Sequence, residues 1–337
     1  MIGFCLAAGA GRRLAPLTAA VPKPLLAPAG RPLVDLACDA LAKAGAERVV
    51  VNLHHGAERV AAHLAGRPGV QVVREPELLG TGGGLAGARR LGLLGGGDRD
   101  PGDRDPTVVV TCADHVVDPA DLAGLAAALE RSGAPVAMGV GIGRGRARPA
   151  FRLDGERALP DPDGPWTAAG VFALRASLLD AVEPGYATLV DALLEPCWRR
   201  GALLGVPFRG AWADAGTLGR FLAVSAGLLA GRWPYPLPPG RLERSAAAGQ
   251  VFVAEGARLD PGAVTGGAVV LDTGSQVAAG AVVSRAVIGP GATVAAGARV
   301  IGSVLGPGAA VGPGTTAVAA LLPQAPRAAR PAAGRIG

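Results

Sequence analysis

From residue 253 onward the chain repeats itself every six positions. Val253, Leu259, Thr265, Leu271, Val277 and Val283 hold one phase. After a slip of one residue come Ile288, Val294 and Val300, and after a second slip Leu305, Val311 and Ala317. Glycine falls three residues after many of these, at Gly256, Gly262, Gly274, Gly280, Gly291, Gly297, Gly308 and Gly314. Six-residue repeats of this kind signal a parallel β-helix. Each hexad supplies one flat face, with its aliphatic residue inward and glycine at a corner that demands positive φ. Three hexads close a triangular coil. No aromatic residue occurs after Phe252, as a narrow interior requires. Twelve phased positions with two slips argue against a disordered Ala/Gly tail. The phase is lost beyond Leu322, so 321–337 is expected to be disordered.

The first two-thirds follows a different rule. Short Val/Leu runs, at Ile2–Leu6, Arg48–Leu53, Val70–Arg74, Thr107–Thr111, Pro135–Val140, Trp166–Leu174 and Leu203–Phe208, read as strands. Stretches of helical spacing lie between several of them: Pro32–Ala44, Ala57–Ala65, Gly84–Leu94, Pro119–Arg131, Leu189–Arg200 and Thr217–Ala230. This order predicts an α/β fold with a doubly wound, mainly parallel sheet and right-handed crossovers. Gly95–Pro106 is a polar, turn-rich loop. Arg232–Gly240 is Pro-rich and reads as a stiff linker. The expected organisation is 1–231, a linker at 232–250, a β-helix at 251–320, and the tail.

Composition narrows the function. Half the residues are apolar and 18% charged, so the chain is not broadly disordered despite 53 Gly and 29 Pro. The net charge of +6 is dispersed, with no run of five basic residues, which gives no support for a nucleic-acid partner. No run of 18 apolar residues exists to span a membrane. Cys5, Cys38, Cys112 and Cys197 are far apart and form no CxxC pair, which suits reduced thiols and a cytoplasmic location. The apolar start Met1–Ala10 is followed, not preceded, by positive charge, the reverse of a secretory leader.

The first strand runs into Leu6-Ala-Ala-Gly-Ala-Gly-Arg-Arg-Leu14. A glycine-rich loop after a strand can wrap backbone N–H groups around phosphate oxygens. It is neither a dinucleotide fingerprint, since Leu14 takes the third glycine's place, nor a P-loop. Next comes Pro22-Lys23-Pro24. The only lysines in the chain are Lys23 and Lys43, against 31 arginines, so Lys23 marks a place for a compact point charge.

The run LAAGAGRRLAPLT…PKPLL resembles the signature of sugar-phosphate nucleotidyltransferases, a Gly-x-Gly-Thr-Arg-Leu loop followed by a Pro-Lys-Pro loop. Three further segments are similar to family motifs in order. Leu79-Gly80-Thr81-Gly82-Gly83-Gly84 resembles the loop that packs on the base. Cys112-Ala113-Asp114 resembles the metal-binding Gly-Asp. Trp212-Ala213-Asp214-Ala215-Gly216-Thr217 resembles the second metal motif. A C-terminal left-handed β-helix also occurs in the family, so the resemblance covers residues 1–320. It implies that a sugar 1-phosphate attacks the α-phosphorus of a nucleoside triphosphate and pyrophosphate leaves, with positioning and charge neutralisation doing most of the catalysis. By the same resemblance, Arg13 and Lys23 are the catalytic cations. Leu6, Ala7, Ala8, Gly9, Gly11, Gly80, Thr81, Gly82 and Asp114 line the nucleotide site, and Asp114 with Asp214 holds Mg2+.

The sugar side matches less closely. There Glu156-Arg157-Ala158 is a faint echo of a Glu-Lys-Pro motif, and Ala168 stands where the family has Asn two residues before Gly170; in the glycine-rich loop Arg12 replaces the usual Thr but leaves the glycines intact. Glu156 and Gly170 are the expected sugar-side residues. The LGTGGG loop most resembles members that use GTP on mannose- or heptose-type sugar phosphates. The rival reading is a non-catalytic regulatory paralogue that binds a nucleotide or nucleotide sugar. His54, His55, His63 and His115 read as surface or packing residues. No histidine follows His115, which argues against an acyltransferase in the β-helix. A β-helix end needs covering, so a homo-oligomer is an expectation.

Overall fold

The computed structural model describes residues 1–95, 105–142, 150–244 and 249–323. Most of the loop expected at Gly95–Pro106, part of the 232–250 segment and nearly all of the 321–337 tail lie outside them.

In chain order the elements are β1 (Ile2–Leu6), α1 (Leu17–Ala20), α2 (Leu33–Lys43), β2 (Arg48–Leu53), α3 (Ala57–Leu64), β3 (Val70–Arg74) and α4 (Gly80–Arg90). β4 (Thr107–Cys112), β5 (His115–Val117), α5 (Pro119–Ser132), β6 (Val136–Ile142), β7 (Ala150–Asp154), β8 (Arg157–Pro160) and β9 (Trp166–Arg175) follow. α6 (Glu195–Arg199), β10 (Leu203–Pro207), β11 (Trp212–Asp214) and α7 (Leu218–Leu229) complete this part. The main sheet runs β3-β2-β1-β4-β9-β6-β10-β8-β7. β1, β2, β3 and β4 pair in parallel, as do β6 and β10. The strands VVV of β2 and of β4 are buried on both faces, as the core of a helix-covered parallel sheet requires.

The sheet is mixed rather than parallel throughout. β9 is antiparallel to both β4 and β6, and the β7–β8 hairpin extends the far edge. The strands of that hairpin are only five and four residues long, so its pattern did not announce them. α4 starts at Gly80, four residues before the glycine where its spacing begins to look helical.

Residues 250–323 form the expected parallel β-helix. Val251 stacks on Val269, one coil of 18 residues on, while Val282 stacks on Arg299 and Arg299 on Thr316, one coil of 17. The two slips in the repeat are the residues missing from the shorter coils. Val251, Val253, Val269, Leu271, Val283, Ile288 and their successors fill the interior. A second row, Phe252, Val270, Val287 and Val304, points outward and joins the core around α7 (Phe221, Val224, Leu228).

The Pro-rich stretch is not a free linker. Trp233 and Tyr235 are each 5% exposed. The Trp233 indole donates to the Ala211 carbonyl (2.6 Å), the Tyr235 hydroxyl to the Val117 carbonyl (2.6 Å), and Lys43 Nζ to the Pro234 carbonyl (3.0 Å). The aromatic pair overrides the surface character that four prolines suggest. No helix among the described residues is long and apolar enough to cross a membrane.

Candidate active site

β1 stops at Leu6 because its next residues leave the sheet to form the glycine-rich loop. The loop is held from both sides. Ala7 N–H donates to Asn52 Oδ1 of β2 (2.9 Å), and Ala113 N–H, just past β4, donates to the Leu6 carbonyl (2.9 Å). Gly11 adopts φ +65°, and a Cβ there would sit 2.9 Å from Lys23 Cβ, so glycine lets the two loops touch. A cavity of about 330 Å³ opens above the carboxyl ends of these strands, where open α/β sheets place ligands. Leu6, Ala7, Ala8, Gly9 and Gly11 form one wall, Lys23, Cys112 and Asp114 a second, and Asn52, Leu78, Gly80, Thr81, Tyr186 and Thr188 a third.

Lys23 and Asp114 form an ion pair at the cavity floor, each side chain about 15% exposed (14% and 16%). Burial raises the Asp114 carboxyl, but the neighbouring His115 and Lys23 outweigh it and hold the group below its ordinary value. It therefore stays an anion. His115 Nε2 lies 3.9 Å from Asp114 Oδ1, and Cys112, Asp114 and His115 present ligand atoms within 4.8 Å of one another. His115 is thus a buried packing residue beside Asp114, not a surface one.

Asp214 reaches the same end of the sheet by a different route. β11 pairs with β5 so that Asp214 faces His115, and Ala215 N–H donates to the Asp114 carbonyl (2.8 Å). The Asp214 carboxylate is buried and accepts from Arg220 Nη1 at 2.9 Å on both oxygens and from Gly216 N–H (3.2 Å). A Cβ on Gly216 would lie 2.6 Å from Arg13 Nη2 and 2.9 Å from Asp214 Oδ1, so Arg13 and Asp214 flank one glycine. Neither lines the cavity wall. Gly170, at φ +76°, leaves the room that the His115 ring fills.

Glu156 is elsewhere. It sits in the β7–β8 turn, its carbonyl accepts from Gly205 N–H (2.8 Å), and its cavity is lined by Ser132–Pro135, the residues that lead into β6. That is the amino end of the sheet, opposite the glycine-rich loop, so the expected sugar-side role of Glu156 is corrected: a two-residue hairpin turn fixes it there.

Two sets of residues escaped the sequence reading. Asn52 Nδ2 donates to Glu75 Oε1 (2.6 Å), and Glu75 Oε2 accepts from Leu79 N–H (3.2 Å). Both side chains are buried, so they tie the glycine-rich loop to the start of α4. An Asn inside RVVVNL was the available signal. The second set is the segment 185–189, which docks on α4. Gly82 and Gly83 N–H both donate to the Ala187 carbonyl (2.9 and 3.1 Å), Ala187 N–H donates to Leu79 O (2.9 Å), and Leu189 N–H to Thr81 Oγ1 (2.7 Å). Gly82 serves this contact and does not line the cavity.

The nucleotidyl transferase family profile matches residues 2–151. Mannose-1-phosphate guanylyltransferase of Mycobacterium tuberculosis is 30% identical over 307 residues, 83% of this chain and 82% of its own. N-acetylmuramate alpha-1-phosphate uridylyltransferase of Neisseria meningitidis is 31% identical over 247 residues, 69% of this chain and all of its own. The chain belongs to the sugar-phosphate nucleotidyltransferase family. A Bacillus anthracis protein solved in complex with sucrose, and assigned as a glucose-1-phosphate thymidylyltransferase, shares the fold. Its TM-score is 0.57 over 68% of this chain and 94% of its own, at 18% identity. As a sugar-phosphate nucleotidyltransferase this chain is an enzyme acting on a nucleoside triphosphate and a sugar phosphate, in a family that generally uses a divalent metal.

Proposed function

We propose that the enzyme transfers a guanylyl group from GTP to the 1-phosphate of a mannose- or heptose-type sugar, releasing pyrophosphate. The observation that carries the site is the meeting of Lys23 and Asp114 with the glycine-rich loop around one cavity. The choice of guanylyl is supported by the guanylyltransferase match, which covers 83% of this chain.

In this reading an oxygen of the sugar phosphate attacks the α-phosphorus. A P–O bond forms in line as the bond to the β-phosphate breaks. Backbone N–H groups of residues 8–11 cradle the phosphates, and Arg13 grips the β- and γ-phosphates as its fork permits. Lys23 neutralises charge between the α-phosphate and the sugar phosphate. Gly80 and Thr81 pack beside the base. Asp114 and Asp214 are hard oxygen donors on paired segments, a set that suits Mg2+. Bound there, Mg2+ supplies charge neutralisation and orients the phosphates. Lys23 and Arg220 are the counter-ions these acids already hold. Gly170 gives the His115 ring the room to sit beside Asp114.

A second reading, uridylyl transfer to N-acetylmuramate 1-phosphate, has the support of the relative matched over its whole length. Pyrophosphate release separates them. Five NTPs are tested with mannose 1-phosphate, heptose 1-phosphates and N-acetylmuramate 1-phosphate in Mg2+. GTP with a mannose- or heptose-type acceptor should be fastest, and a faster UTP–N-acetylmuramate pair overturns the assignment. Asp214→Ala should lower the rate about a hundredfold or more, and retained activity removes Asp214 from the site.

A further inference from the structure

Tyr186 is 69% exposed, yet it is not adrift in solvent. It lines the cavity, and its Cε2 would lie 3.1 Å from a Cβ on Gly80. Its backbone neighbours fix it there. Ala187 is bonded through both its N–H and its carbonyl to residues 79–83, and Leu189 N–H to Thr81. The glycines exist for this contact. A Cβ on Gly80 would meet the Ala187 carbonyl at 2.5 Å and one on Gly82 the Thr188 carbonyl at 2.8 Å.

The cavity has two unlike ends, and the strand order separates them. In β3-β2-β1-β4 the loop after β1 lies in the middle. Asp114 follows β4 on one side; Asn52, next to last in β2, and Leu78–Gly80, which follow β3, lie on the other. The first end is charged and suits phosphates. The second offers Leu78, a bare glycine backbone and the Tyr186 ring, with the Asn52 side chain nearby. An apolar slot with one aromatic face suits a flat heteroaromatic ring better than a hydroxyl-covered sugar.

We propose that Tyr186 stacks on the nucleobase and sets the affinity for the nucleotide through its base. This rests on the nucleotidyl-transfer reading. The bond-making roles stay with Arg13, Lys23 and Asp114.

Titration calorimetry with GTP, UTP and inorganic tripolyphosphate, each with Mg2+, tests it on wild type, Tyr186→Ala, Tyr186→Phe and Tyr186→Trp. Tyr186→Ala should weaken the better-bound nucleotide about tenfold, the size expected of one lost base–aromatic stack. Tripolyphosphate binding should be unchanged, and Phe or Trp should restore the nucleotide. Nucleotide affinity unchanged in Tyr186→Ala, or lost equally for tripolyphosphate, overturns the proposal. So does a rise in KM for the sugar phosphate alone, which would put the ring at the acceptor. If wild type binds tripolyphosphate but no nucleotide better, the nucleotidyl-transfer reading itself fails.

Discussion

Glu75 is a buried carboxylate whose recorded hydrogen bonds come from an amide and a backbone N–H. A buried polar group of this sort is tolerated only when it is hydrogen-bonded. It fixes the Asn52 amide so that Oδ1 faces Ala7 N–H, and thereby sets the spacing of the two nucleotide-side loops. Glu75→Gln would turn a donor toward another donor, either Asn52 Nδ2 or Leu79 N–H. The expected result is a loss of about 1–3 kcal/mol, read by denaturant unfolding, and a KM for the NTP that rises more than kcat falls. A KM that does not move would make the network purely structural. Neither residue was legible beforehand, because their meeting depends on the pairing of β2 with β3, which sets Leu53 beside Arg74. Gly9, Gly11, Lys23 and Asp114 were legible, because each belongs to a short contiguous motif. Glu156 misled for the converse reason: three residues of local likeness say nothing about which end of a sheet a turn occupies.

At the scale of elements, α4 opens on glycines, the poorest helix formers after proline. Spacing alone therefore started it four residues late. Its first turn is held instead by the 185–189 segment, which accepts its free N–H groups, and that segment is distant in sequence. Gly83→Ala tests this. The new Cβ would collide with the Gly185 carbonyl, a backbone atom that cannot swing aside. A cost of about 1–3 kcal/mol is expected, seen as a lower Tm, together with weaker nucleotide binding. A variant as stable and as tight as wild type would deny the segment any role. The antiparallel β9 was likewise hidden. Its sequence is an ordinary strand, and only the β7–β8 hairpin before it reverses its direction. The β-helix was legible down to its slips, because a stacked coil writes its period directly into the chain.

Across the whole molecule, the hydroxyl of Tyr235 links the stretch before the β-helix to the strand that follows Asp114. Burial, then the nearby Asp118 and Asp39, push this phenol well above its ordinary 10.0. The folded state thus keeps it neutral. Its contribution is complete below pH about 10 and is lost as pH climbs further, because the unfolded chain then ionises while the folded one does not. Tyr235→Phe should lose about 1 kcal/mol near neutrality and lose less additional stability than wild type at pH about 11. Urea midpoints at the two pH values check it; equal slopes for both proteins would refute the linkage.

The outward row Phe252, Val270, Val287 and Val304 has a last consequence. It gives the repeat a second message: one residue per hexad fills the prism, and one outward residue per coil joins the prism to the rest of the enzyme. Grafting the prism of another protein here would then fail unless that one stripe travelled with it, however faultless the donor's own hexads.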